Sequence, residues 1–182
     1  MCVCVCHFIN VYFIVSFFLE LELLINKHSP AALCIQEIML TKDKLQTFKG
    51  HTPYYSCTET GSGGVALLVQ DRFFHSKIEL KTNLQTVAVR ISVNQKKFSL
   101  CSICVPPTLD IDKYDLMNLK SQLPSPCIFM GDFNGHSNFW GASETNSRGN
   151  AVENFLLEED MLLLNHKTLF VDPAPEAFYM VL

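Results

Sequence analysis

The stretch that decides the fold is CIFMGDFNGHSNFWG, residues 127–141. Cys127–Met130 is a short apolar run of the kind that forms a strand buried on both faces, and it leads straight into Gly131-Asp132-Phe133-Asn134. On extended backbone, residues two apart share a face. That spacing puts the Asp132 carboxylate and the Asn134 carboxamide on one side and Phe133 in the core. Gly131 leaves room for another backbone or a ligand to come close. Loops at the ends of rigid strands are where catalytic groups concentrate, although Asp and Asn are also ordinary turn formers. A carboxylate beside an amide can orient or deprotonate water while the amide donates to a phosphate oxygen. His136 and Trp140, read alone, are loop-packing residues.

Upstream, AALCI (31–35) is a second buried strand, and Gln36-Glu37 stand at its end. A lone Glu after a strand is usually just solvated; as a hard oxygen ligand it also suits Mg²⁺, which keeps several waters and takes one or two carboxylates plus substrate phosphate. VALLVQ (65–70) is a third such run, preceded by Gly61-Ser62-Gly63-Gly64. Because that glycine cluster leads into a strand and not into a helix N-terminus, it reads as a turn, not as a phosphate cradle. TVAVRISV (86–93), NQKK and FSLCSICV (98–105) form a hairpin closed by Pro106-Pro107. Helical spacing appears in LELELLINKHSP (19–30), stopped at Pro30, in IDKYDLMNLKSQL (111–123), and in AVENFLLEED (151–160) with Asn150 as its N-cap. MLLLN (161–165) is a further strand, and residues 40–60 read as polar and irregular. Strands alternating with helices and hairpins predict α/β layers with a mixed or largely antiparallel sheet.

The chain has 182 residues, 48% hydrophobic and 18% charged, which suits one domain with a sizeable core and excludes a disordered chain. Fourteen basic against eighteen acidic residues leave a net charge of −4. That balance argues against a basic nucleic-acid coat and leaves open a nucleic-acid enzyme with a local site. Several of the eight cysteines lie inside apolar runs, as buried free thiols do. Cys101 and Cys104 have CxxC spacing, but residues three apart on a strand face opposite ways, and no second pair completes a zinc site.

Residues 1–19 stand apart as an apolar segment without Asp, Glu, Lys or Arg. A signal peptide's basic start and small-residue cleavage site are missing. The length is borderline for a membrane span, Asn10 and Ser16 interrupt it, and no Lys or Arg flanks it. Its β-branched and aromatic residues suit a first strand equally well, so strand and membrane segment both stay open.

HSPAALCIQE, GSGGVALLV, VAVRISVNQKKFSLCSICVPP and IFMGDFNGHSNFWGASETNSRGNAVENFLLEEDMLLLN, in that order, resemble the endonuclease domain of non-LTR (jockey-like) retrotransposons. Those domains belong to the endonuclease/exonuclease/phosphatase superfamily. The resemblance covers roughly residues 20–168. It implies an α/β (α+β) fold, the DNase I-like four-layer sandwich. It also implies cleavage of a DNA phosphodiester with Mg²⁺, or Mn²⁺, as cofactor, in a family where the domain is fused to a reverse transcriptase. By position, Glu37 matches the family's metal-binding Glu, Asp132 its catalytic Asp, and Asn134 its catalytic, phosphate-contacting Asn. His136, counted with the catalytic residues, matches a His of the retrotransposon branch, and Asn10 the substrate-binding Asn of the first strand.

Three departures accompany the match. Cys104 stands where the family has Tyr before VPP, which removes a phenol hydrogen bond near the phosphate. No Asp-bearing strand or Ser-Asp-His motif follows, and no His follows His166. The tail VDPAPEAFYMVL (171–182) matches nothing in the pattern. The expectation is therefore a C-terminally truncated domain over 20–182, an endonuclease of weak or no activity, nuclear if functional. The alternatives are a phosphatase of the same superfamily, against which NGHSNFWG speaks, and a non-catalytic protein, membrane-anchored through residues 1–19.

Overall fold

The computed structural model describes residues 6–10, 18–164 and 177–181, the first and last of these as backbone. In chain order the elements are β1 (Cys6–Asn10), α1 (Phe18–His28), β2 (Ala32–Gln36), β3 (His51–Ser56), β4 (Val65–Gln70), β5 (Phe74–Ile78), β6 (Gln85–Val93), β7 (Lys96–Cys104), α2 (Lys113–Ser121), β8 (Cys127–Asp132), α3 (Ser147–Glu158), β9 (Leu162–Leu163) and β10 (Ala177–Val181). The strands form a four-stranded sheet in the order β1-β2-β4-β3 and a six-stranded sheet in the order β5-β6-β7-β8-β10-β9. β1 runs parallel to β2 and β7 parallel to β8, while the other pairs are antiparallel.

Burial orders these elements into four layers. On the outer face of the smaller sheet, α1 packs Leu21 and Ile25 against Leu33, Ile35, Ala66 and Leu68. The residues between these along β2 and β4, namely Ala32, Cys34, Val65, Leu67 and Val69, meet Val87, Val89, Leu100, Cys104 and Met130 of the larger sheet. The larger sheet's other face, with Cys101, Ile103 and Phe129, takes Leu116, Leu119, Val152 and Phe155 from α2 and α3. Phe129 and Phe155 meet edge to face at 5.9 Å and 86°. The helix/sheet/sheet/helix sandwich is the expected architecture. The period-2 alternation of a strand explains why AALCI and VALLV are apolar at every position: each face lies in its own core. Cys101 and Cys104 fall in different cores for the same reason.

Two local expectations are corrected. Residues 40–60 are not all irregular: His51–Ser56 is β3, an edge strand of the smaller sheet. Edge strands tolerate Pro53 and polar residues because one side of the ladder is unpaired, so they carry no apolar run. The N-cap of α3 is Asn146, not Asn150: its side chain accepts from the Gly149 N–H at 2.7 Å, and the helix begins at Ser147. Of the segment 1–19, residues 6–10 form a strand in the smaller sheet; residues 1–5 and 11–17 lie outside the described residues, as do residues 165–176. Among the described residues no helix is long and apolar enough to cross a membrane.

A capping box fixes the start of α2. The Asp112 side chain accepts from the N–H groups of Tyr114 (2.8 Å) and Asp115 (3.1 Å), and Asp115 returns the bond to the Asp112 N–H at 3.0 Å. Asp112→Ala is expected to cost about 1 kcal/mol, read as a lower urea midpoint with an unchanged slope.

Candidate active site

The core between the two sheets turns polar at one end. Along β2 the inward positions run Ala32, Cys34, Gln36; along β7, Leu100, Ser102, Cys104; along β8, Ile128, Met130, Asp132. Gln36 is fully buried and donates from Nε2 to Ser102 Oγ at 2.9 Å, tying the sheets together, while its Oε1 is buried with no partner. Asn10 pairs in register with Gln36, and Asp132 with Cys104. Strands from both sheets thus end side by side and bring Gln36, Cys104 and Asp132 to one edge, with Asn10 placed there by its register.

Glu37 follows Gln36 in the left-handed region (φ 54°), and Met39 is left-handed as well (φ 51°). This tight double turn is braced by the glycine cluster: the Ile38 N–H donates to Gly64 O at 3.3 Å and the Met39 N–H to Gly63 O at 2.9 Å. Gly64 has φ +87°, and a Cβ there would meet Ser56 O at 2.9 Å. The cluster is a turn, as expected, and its service to the Glu37 loop had no signal in the local sequence.

Glu37 is half-buried, and Cys104 Sγ donates to its Oε1 at 3.4 Å. Burial pushes the Cys104 thiol well above its usual range, and the negative charges of Glu37 and Asp132 push it the same way. The thiol therefore stays protonated and donates to Glu37. A raised pKa means less thiolate at any given pH. Iodoacetamide at pH 8 is expected to leave Cys104 unlabelled in the native protein and to label it after unfolding, read by peptide mass mapping.

Asp132 is buried, and its Oδ1 accepts from the Asn134 N–H at 2.8 Å. Asn134 is left-handed (φ 47°), so the expectation of an extended backbone is corrected. A side-chain-closed turn brings the pair together instead, as Asp and Asn readily do. Phe133 is fully buried in the outer core, as the alternation predicts. Asn134 Nδ2 donates to Val105 O at 3.0 Å. Arg148, at the start of α3, clamps the turn from outside, donating to Asn134 O (2.9 Å) and Pro107 O (2.6 Å); no motif marked it in the sequence. The space left by Gly131 is taken by the neighbouring strand: a Cβ there would lie 1.8 Å from Ile103 O.

The rest of the loop is fastened to α3. The His136 N–H donates to Asn146 Oδ1 at 3.1 Å, and His136 O accepts from the Asn146 N–H at 3.0 Å. Ser137 Oγ bonds Glu153 on α3. Trp140 Nε1 donates back to Gly135 O at 3.1 Å. The structure therefore brings Glu37, Asp132 and Asn134 together, and it fixes the His136 backbone two residues further on, against α3.

This architecture matches a solved structure, "Endonuclease domain of TRAS1, a telomere-specific non-LTR retrotransposon", at a TM-score of 0.79 and 22% identity, covering 95% of this chain and 82% of that one. The fold is the DNase I-like sandwich of that structure. The same fold relates the chain to the 3′ phosphatase NExo from Neisseria bound to a product DNA hairpin (TM-score 0.65, 13% identity, 96% of this chain and 84% of that one). It also relates it to an endonuclease/exonuclease/phosphatase family protein from Leptotrichia buccalis (TM-score 0.60, 13% identity, 96% and 86%). Residues 98–176, the segment that carries Cys104, Asp132, Asn134 and His136, match the endonuclease-reverse transcriptase family model. No curated protein matches the chain in sequence.

The donors at the sandwich's polar end are mostly hard oxygens: the Glu37 and Asp132 carboxylates and the buried, unpartnered Gln36 Oε1. Among the described residues no three His, Cys, Asp or Glu side chains are spaced to hold a metal by themselves. Such a set fits a divalent cation that keeps most of its water and borrows ligands from a phosphate, as Mg²⁺ does, and does not fit a closed zinc site.

Proposed function

We propose that the chain is a divalent-metal-dependent nuclease of the retrotransposon endonuclease type, cleaving a phosphodiester bond of DNA. The observation that carries this reading is the Cys104 thiol's bond to Glu37 together with its register pairing with Asp132, whose Oδ1 holds the Asn134 N–H. The likeness to the TRAS1 endonuclease domain and the family match over 98–176 support it.

In this reading Glu37 holds the cation, with Mg²⁺ or Mn²⁺ as the candidates. When bound, the cation supplies a Lewis acid that neutralises charge building on the phosphate. The Asp132 carboxylate, oriented by the Asn134 N–H at its Oδ1, orients and deprotonates the attacking water. One amide hydrogen of Asn134 is spent on Val105 O, which sets the carboxamide plane and leaves the second hydrogen for a phosphate oxygen. Asn10 is assigned a further contact to substrate, and His136 a catalytic role. Action on nuclear DNA is part of the proposal.

The test is conversion of supercoiled plasmid to the nicked form with Mg²⁺ or Mn²⁺, beside the Glu37→Gln and Asp132→Asn variants. Nicking that ignores both substitutions would refute the assignment. A phosphatase is the second reading, favoured by the NExo likeness; release of inorganic phosphate from a 3′-phosphorylated hairpin without plasmid nicking would put it first.

A further inference from the structure

We infer that Phe139 is a DNA-contacting residue, an aromatic platform that stacks on an unpaired or unstacked nucleobase beside the scissile phosphate. This rests on the proposed reading of the site as a DNA phosphodiesterase and names a contact that reading does not contain. Phe139 is 66% exposed, so most of the ring is open to a flat partner. Phe74 and Tyr114 are exposed too, but they lie on an edge strand and on α2. Among the described residues, Phe139 is the exposed aromatic carried by the loop that begins with Asp132 and Asn134.

Its mounting is rigid. Phe139 is the middle residue of a 3₁₀ turn, Asn138–Trp140, whose N-cap is Ser137. Its own N–H donates to Ser137 Oγ at 2.9 Å, and that hydroxyl is bonded to Glu153 of α3. The Asn138 N–H donates to Thr145 Oγ1 at 3.2 Å, and Gly141 ends the turn at φ 93°. The ring stands edge to face on Trp140 at 6.4 Å and 85°, and the Trp140 indole is tethered to Gly135 O. Ring, indole and turn are thus locked to the residue that follows Asn134. Little side-chain entropy remains to be lost when a flat partner arrives.

The chemistry of the partner follows from charge and shape. With a net charge of −4, the chain has few cations to spend on phosphates, so affinity for DNA must draw on non-ionic contacts. Every base offers a π-face, and stacking on an aromatic side chain is tolerant of sequence. In an intact duplex those faces are covered, so a wedge or platform acts where a base step is opened.

The test uses the full 182-residue chain and a fluorescent duplex oligonucleotide carrying one unpaired nucleotide, without divalent cation so that the DNA stays intact. Anisotropy titrations of wild type, Phe139→Ala and Phe139→Trp give Kd at several salt concentrations, with circular dichroism to show equal folding. Phe139→Ala is expected to raise Kd roughly tenfold, within the range measured for loss of one stacked base. Phe139→Trp is expected to stay within about threefold of wild type, because it keeps the π-face. The slope of log Kd against log salt is expected not to change, since no phosphate contact is removed. A Phe139→Ala Kd within twofold of wild type, or a flatter salt slope, overturns the platform and leaves the nuclease reading standing. Wild-type protein that binds no DNA overturns both.

Discussion

Asp132→Asn is expected to lower metal-dependent plasmid nicking by roughly 10²–10⁴-fold, the usual cost of removing one general acid or base, with the fold intact. The physical case lies in what the substitution keeps. Asp132 is buried, and its Oδ1 accepts the Asn134 N–H; an amide oxygen in the same place still accepts that bond, so the turn survives. The negative charge and the ability to take a proton are lost. Glu37→Gln removes charge from the proposed metal ligand in the same manner, and the Cys104 thiol can still donate to the amide oxygen. Its deficit should shrink as Mg²⁺ or Mn²⁺ is raised, whereas that of Asp132→Asn should not. The double variant should fall little below the worse single one, because groups acting as one unit are not additive. Residual nicking that is equal in all four proteins would expose a contaminating nuclease and remove the basis for the assignment.

Gly131→Ala is expected to destabilise the protein by more than about 4 kcal/mol, among the rare large effects of single substitutions. For a chain of this size that is a fall in Tm of roughly 8–16 °C. The added Cβ would lie 1.8 Å from Ile103 O and 2.7 Å from Ile103 C. Both are backbone atoms of the strand to which Gly131 is hydrogen-bonded in register, so neither can swing aside. β7 and β8 would have to separate in the middle of the six-stranded sheet, and the next register pair is Cys104 with Asp132. Stability and site are therefore damaged together. Gly50→Ala is the matching control: it has a positive φ of 73° but nothing within 4 Å of its Cβ. It should cost only the backbone penalty of about 1–2 kcal/mol. If calorimetry finds the two variants melting together, the close approach of β7 and β8 is wrong.

These two residues also show how much of the molecule could be read from the chain. Val65–Gln70 was bounded correctly because a doubly buried strand is apolar at every position. β3 was missed because an edge strand such as HTPYYS has no such obligation. The helix α3 starts four residues before the sequence expectation, since Asn146 and Asn150 are equally plausible caps by type and only the bond to the Gly149 N–H separates them. Glu37, Asp132 and Asn134 were singled out as polar residues at the ends of buried strands. The brackets around them were not: Gly63 and Gly64 under Glu37, and Arg148 over Asn134, are distant in sequence and act through backbone carbonyls, which leave no pattern in side-chain types.

By itself the sequence determined the two kinds of core, the alternation of layers and the strand ends where polar chemistry collects, because burial and period-2 spacing are local properties of a strand. Tertiary structure alone decided that the two strand ends meet, that Cys104 donates to Glu37 while pairing in register with Asp132, and that Asn134 joins Asp132 through a left-handed turn. Those outcomes depend on sheet register and on backbone partners contributed from far along the chain, and a residue's own identity does not specify either.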